Sequence, residues 1–115
     1  MDRLTKRAEF LRAARGVRRV TPGITLEICH SDSQTIRVGF TASRKIGGAV
    51  VRNRAKRRLR AVAAEILPLS GVAGTDYVLV ARRDTVTRPF ESLKADLAQA
   101  LSAAHLKLGP QGDVR

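Results

Sequence analysis

The sequence predicts one small α/β domain in which helices cover a sheet. Three observations carry that reading. Val51, Ala55, Leu59, Val62 and Ile66 are spaced 4, 4, 3 and 4, the apolar stripe of a helix over about 49–66. Ile24, Leu26 and Ile28, then Ile36, Val38 and Phe40, recur at every second position, the period of half-buried strands. Tyr77 to Ala81, YVLVA, is an unbroken apolar run, which suits a strand covered on both faces inside the sheet.

Taken in order, residues 5–15 read as a short helix with Thr5 as its cap, Gly16 as its stop and Phe10, Leu11 and Ala14 on one side. Residues 17–30 are β-like, with a turn at Pro22-Gly23. The short polar link Ser31-Asp32-Ser33 predicts an antiparallel hairpin between strands 24–30 and 35–42. Gly47-Gly48 opens the helix of 49–66, and Pro68 is expected to end it. The strand at 77–81 follows in strand–helix–strand order and is expected parallel to 35–42. A last helix covers about 88–107, with Thr87 as cap, Pro89 in the first turn and a stripe of Phe90, Leu93, Leu97, Leu101, Ala104 and Leu108. Residues 109–115 read as a flexible tail, and 1–115 as a single domain.

Charge is distributed unevenly along this domain. The 115 residues carry 22 Lys or Arg against 10 Asp or Glu, a net charge of +12. No carboxylate lies between Asp32 and Glu65, a segment that holds nine of the cations: Arg37, Arg44, Lys45, Arg52, Arg54, Lys56, Arg57, Arg58 and Arg60. An anionic polymer is the natural partner of such a field. In helical projection Arg52, Asn53, Lys56, Arg57 and Arg60 form one flank beside the apolar stripe, and Arg54 and Arg58 lie on the other side. A solvated helix face would mix Glu with Lys at spacing four; here like charges stand at 52/56/60 and 54/58. Most of these cations are Arg, whose planar fork suits phosphate and base edges. The helix start, with Gly47-Gly48 beside Arg44 and Lys45, offers free amides to an anion. These features point to nucleic acid. Aromatic residues make up only 3% of the chain, which argues against a stacking platform, although Phe10, Phe40 and Tyr77 remain as isolated candidates. From the residues alone Phe10 reads first as a core residue.

Other classes are disfavoured. The run Cys29-His30-Ser31-Asp32-Ser33 contains the letters of a triad, but neighbours along a strand and turn do not converge like one. Its Cys and His lack metal-ligand spacing, the carboxylates are scattered singly, and no phosphate-binding GxxxxGK[ST] loop is present. With one cysteine there is no intrachain disulfide, and no segment resembles a membrane span or a secretory signal, so a cytoplasmic protein without a membrane partner is expected.

The run RVGFTASRKIGGAVVRNRAKRRLR resembles the signature of the bacterial ribonuclease P protein subunit, marked by Arg52-Asn53-Arg54 after a strand, Ser-Arg-Lys and Ile-Gly. Lys6 to Phe10 is similar to that family's first helix, and Asp76 to Arg82, DYVLVAR, to its strand after the basic helix. The resemblance spans about residues 4–100. It implies an α/β sandwich with a small, mostly antiparallel four-stranded sheet, about three helices and a left-handed β-α-β crossover, like the second domain of a small-subunit ribosomal protein. The function it implies is that of the accessory subunit of an endoribonuclease that removes the 5′ leader of precursor tRNA. Catalysis would lie with the RNA subunit and Mg²⁺, and the protein would bring no cofactor and no catalytic residue of its own. The implied partners are the catalytic RNA and precursor tRNA, with no protein partner. The implied RNA contacts are Ser43, Arg44, Lys45, Arg52, Asn53, Arg54, Lys56, Arg57, Arg58 and Arg60, with Phe10, Lys56 and Arg60 along a leader cleft. Ala14, and Glu27 or its neighbour, stand where the family often has aromatic residues, and Gly48 where it commonly has Asn. The alternatives are a ribosomal-protein-like or general RNA-binding chaperone, and an independent nuclease.

Overall fold

The computed structural model describes residues 1–110. The elements are β1 (Asp2–Arg3), α1 (Arg7–Ala14), β2 (Val17–Val20), β3 (Ile24–His30), β4 (Arg37–Thr41), α2 (Ala49–Ser70), β5 (Thr75–Ala81) and α3 (Phe90–Leu108), with single 3₁₀ turns at Arg44–Ile46 and Arg83–Thr85. The expected tail at 109–115 falls largely on residues 111–115, outside the described ones.

The sheet has five strands in the order β1-β4-β5-β3-β2. β1 and β5 both pair with β4 in parallel, while β3 pairs antiparallel with β5 and β2. The expectation of four mostly antiparallel strands is therefore corrected to a five-stranded mixed sheet. Two residues, Asp2 and Arg3, supply a strand too short to leave a periodic signal.

The expected hairpin between 24–30 and 35–42 does not form. β5 lies between those strands, seven residues in register with β3 and five with β4. The reason is the apolar run itself. Tyr77, Val78, Leu79 and Ala81 are buried, and a strand covered on both faces takes the centre and pairs along both edges. Its parallel pairing with β4 agrees with the expectation. The hairpin that does form is β2–β3, closed by Thr21, whose amide donates to Ile24 O at 2.9 Å.

α2 and α3 cover one face of the sheet and α1 the other. On the first face, Ile24, Leu26, Ile28, Tyr77 and Leu79 pack under Leu59, Val62, Leu67, Leu93, Leu97 and Leu101. On the second, Cys29 and Val78 meet Leu4, Ala13 and the half-buried Phe10 and Val80. Three boundary expectations change. α2 runs through Pro68 to Ser70: the missing N–H removes one bond near the helix end, while Leu67 stays buried and accepts from the Gly71 amide at 2.7 Å. α1 is capped at Lys6, and α3 at Pro89, rather than at the threonines before them. α1 turns Phe10 and Ala13 inward and leaves Leu11 and Ala14 exposed. Gly16 ends α1 because the chain passes so close to β3 that a Cβ there would lie 2.0 Å from Ile28 O.

Candidate nucleic-acid interface

The core stripe fixes the rotation of α2. Ala55, Leu59 and Val62 are wholly buried, so Asn53, Arg54, Arg57 and Arg60 are held in solvent, with Arg52, Lys56 and Arg58 half-buried beside the stripe. Ser43, Arg44 and Lys45 are exposed on the 3₁₀ turn that links β4 to α2. That link needs Gly47, whose φ of 147° lies where side chains are strained and whose Cβ would stand 2.9 Å from Val51 Cβ.

Among the described residues, none of the eight cations between Arg44 and Arg60 pairs with a carboxylate. Arg12, Arg18, Arg37, Arg88 and Lys94 do so elsewhere in the domain. The one acid of α2, Glu65, lies beyond this stretch and pairs with Lys94, so the positive field of residues 44–60 is not neutralised by carboxylates of the described residues. The Nε of Arg52 is buried and has no partner, leaving a donor of the central motif unsatisfied. Arg58 is different. Its Nη1 donates to Thr85 O at 2.6 Å and Val86 O at 2.9 Å, so its guanidinium ties α2 to the turn before α3. Of the cations the sequence singles out on α2, this one is occupied within the fold.

The flank leads to an open depression at the β4 edge of the sheet, where residues of both faces meet. Arg60 lies over the Phe40 ring, 5.7 Å from its centroid, and Phe40 lines a cavity of about 330 Å³ with Thr5, Arg7, Phe10 and Thr41. Phe10 and Phe40 are both half-buried there. Phe10 and Arg60 are thus brought together through Phe40, whereas Lys56 stands one turn away on the flank and does not line the cavity. The sequence places Phe40 on a core face while keeping it as an isolated stacking candidate, and gives no sign that Arg7, Thr5 and Thr41 line the same depression. The strand alternation that marks Phe40 as core is sound: the ring packs against the main core, and at its half-exposed side Arg60 lies over it.

α1, which carries Phe10, is fastened to the sheet by charge. The carboxylate of Asp76 is wholly buried and accepts from Arg37 Nε at 2.8 Å and Nη2 at 2.7 Å, and from Arg12 Nη2 at 3.2 Å. Arg37 Nη1 reaches Glu9 Oε2 at 2.9 Å. Glu9 Oε1 accepts the amides of Thr5 and Lys6, and these two bonds hold its carboxyl below the usual carboxylate range. Hydrogen bonding to Asp76 raises the Arg37 guanidinium above its ordinary value. Glu27 lies on the same sheet face; burial pushes its carboxyl up, only partly offset by Arg18 at 3.9 Å. Ala14, the other departure from aromatic character, is exposed on α1.

The residues of 29–33 do not converge. Cys29 and Ser31 are buried at the end of β3, and burial raises the Cys29 thiol. His105 lies far along α3, where the Tyr77 hydroxyl bonds its Nε2 at 2.7 Å while accepting the Val72 amide at 2.8 Å. Among the described residues, no three His, Cys, Asp or Glu side chains come together as a metal site.

A basic helix flank joined to a small aromatic cleft suits RNA, and comparison with known proteins agrees. The Ribonuclease P family model matches residues 1–105. The chain belongs to the ribonuclease P protein family. The "Ribonuclease P protein component" of Ruegeria pomeroyi is 48% identical over 106 residues, covering 89% of this chain and 85% of that one. The component of Paramagnetospirillum magneticum is 44% identical over 107 residues, covering 88% and 80%. The solved ribonuclease P protein from Thermotoga maritima superposes with a TM-score of 0.75 at 22% identity, over 90% of this chain and 97% of that one, a likeness of fold. As a ribonuclease P protein component, the chain works in tRNA processing beside the ribonuclease P RNA.

Proposed function

We propose that the chain docks on the catalytic RNA of ribonuclease P through the α2 flank and the turn before it, and holds the 5′ leader of precursor tRNA in the Phe10–Phe40 cleft. The supporting observation is continuity: unpaired cations run along α2 to Arg60, and Arg60 lies on a ring of the cleft. Phosphates would sit on the guanidinium flank, and a leader base would stack on the Phe10 ring at the β4 edge, where one stack is worth about 1–3 kcal/mol. In this reading Ser43, Arg44, Lys45, Arg52, Asn53, Arg54, Lys56, Arg57 and Arg60 face RNA, and Arg58 supports the helix that presents them.

Hydrolysis belongs to the RNA in this reading. Mg²⁺ sits with the RNA in this reading, and the protein supplies positive charge and the cleft. A left-handed sense for the β4-α2-β5 crossover goes with the same reading. So does a cytoplasmic setting, which the single cysteine favours; none of the described helices is long and apolar enough to cross a membrane.

The test is cleavage of precursor tRNA at physiological Mg²⁺. Protein alone is expected to be inactive. Adding it to the cognate RNA should raise affinity for leader-bearing substrate more than for mature tRNA. Cleavage by RNA-free protein would refute the accessory role. Absence of any gain with the RNA would favour a general RNA-binding protein.

A further inference from the structure

We infer that Asp76, which touches no part of the proposed RNA surface, is a positioning residue that sets the leader cleft by holding α1 at a fixed height over the sheet. The inference rests on the cleft reading above.

Asp76 and Arg37 are register partners on β5 and β4, and the guanidinium grips the carboxylate through two nitrogens. Both then extend to α1: Arg37 to Glu9, and Asp76 to Arg12. Glu9 and Arg12 bracket Phe10 on the helix. Two residues along β4 from Arg37, on the same face, is Gly39, where a Cβ would stand 2.5 Å from Phe10 Cε1. The Phe10 ring therefore rests directly on the β4 backbone. Apolar packing under α1 is thin: among the described residues Leu4, Ala13, Cys29 and Val78 are its buried members, with Phe10 and Val80 half-buried against them. Ala13 is the only wholly buried side chain of α1 itself. A short helix with so little apolar footing takes its orientation from the charged network. Arg–carboxylate forks have narrow geometry, so they fix direction as well as proximity.

The sign of one substitution separates this role from general electrostatics. Asp76→Asn removes one negative charge from a +12 protein. Charge alone would tighten RNA binding. Loss of positioning would weaken it, and only where a leader occupies the cleft. The experiment uses the ribonucleoprotein reconstituted from this chain and its cognate RNA. It compares affinity for precursor tRNA carrying a leader of several nucleotides with affinity for the same tRNA lacking it, for Asp76→Asn, Phe10→Ala and the double variant. Asp76→Asn is expected to lose about fivefold in the leader's contribution, the scale of one weakened base stack. Mature tRNA should bind unchanged, and the double variant should lose no more than Phe10→Ala alone. Equal losses on both substrates, or additivity with Phe10→Ala, would overturn the positioning role. Should Asp76→Asn fail to fold, Glu9→Gln keeps the oxygen that accepts the Thr5 and Lys6 amides but turns an NH2, which cannot accept, toward Arg37 and so removes that link; the same leader-specific loss is expected, and its absence refutes the role. If Phe10→Ala itself leaves the leader's contribution intact, the cleft reading falls and this one with it. If Phe10→Ala acts and Asp76→Asn does not, positioning alone is refuted.

Discussion

Arg58→Met tests the division of labour along α2. The substitution keeps an unbranched side chain of good helix propensity and removes the guanidinium. Two hydrogen bonds to main-chain oxygens are lost, at 2.6 Å to Thr85 and 2.9 Å to Val86. A hydrogen bond to a charged group contributes about 1.5–3 kcal/mol. Both bonds leave the same nitrogen, and Arg58 is only half-buried, so water can replace part of the loss; about 1.5 kcal/mol is a fair sum. Removing one charge also relieves repulsion from Arg54, four residues earlier, by about 0.3 kcal/mol. The net loss is about 1.2 kcal/mol, or roughly 5–8 °C in Tm for a domain of this size. Thermal and urea melts of Arg58→Met should show that drop, whereas Arg57→Met, with an exposed side chain and no partner among the described residues, should stay within about 0.5 kcal/mol of the parent. RNA affinity should fall more for Arg57→Met than for Arg58→Met. Equal melts, or an unchanged Arg58→Met with the larger affinity loss, would refute the tether and return Arg58 to the RNA surface.

Other outcomes follow from the same geometry. If about five phosphates are neutralised by the unpaired flank, log K for the cognate RNA should fall against log salt with a slope of about −3.5 to −4.5, and a nearly flat line would refute the electrostatic account. Burial pushes the His105 imidazole below its usual range. The unfolded chain then binds that proton first as pH falls, so stability is full above the ordinary value of about 6.5 and declines below it. The parent midpoint should drop between about pH 7 and pH 5 more steeply than that of His105→Gln; parallel curves would show that His105 does not contribute.

Much of the fold was legible because it is written in periodicity. The stripe Val51–Ala55–Leu59–Val62 and the run Tyr77–Ala81 each have one structural solution, and each appears where expected. Pairing was not legible in the same way. Whether 24–30 joins 35–42 directly depends on a strand forty residues later, and the short link between them favoured the wrong answer. β1 is two residues long and carries no pattern at all. The site divides similarly. Exposure of Arg54, Arg57 and Arg60 follows from helix rotation alone. The tether role of Arg58 requires the carbonyls of Thr85 and Val86, which no spacing rule brings to α2. Arg37 and Asp76 are cross-strand partners only once β5 has entered the sheet, so their grip on α1 was invisible beforehand.

The bareness of α2 raises the question of whether the helix needs RNA to exist, and magnitudes decide it. Like charges stand four apart at 52/56, 56/60 and 54/58, and three such pairs subtract about 1 kcal/mol from helix stability at moderate salt. Against this, Leu59, Val62 and Leu67 are wholly buried in the main core, each worth about 1.5–3 kcal/mol as an upper estimate. Repulsion of that size lowers a domain stability of about 5–15 kcal/mol without abolishing it. α2 should therefore be formed in dilute, anion-poor buffer. Sulfate, by binding the folded flank, should raise the melting midpoint while leaving far-UV ellipticity at room temperature unchanged. Ellipticity that climbs with sulfate at fixed temperature would mean that repulsion wins over the core stripe, and that the docking surface is assembled by its anion.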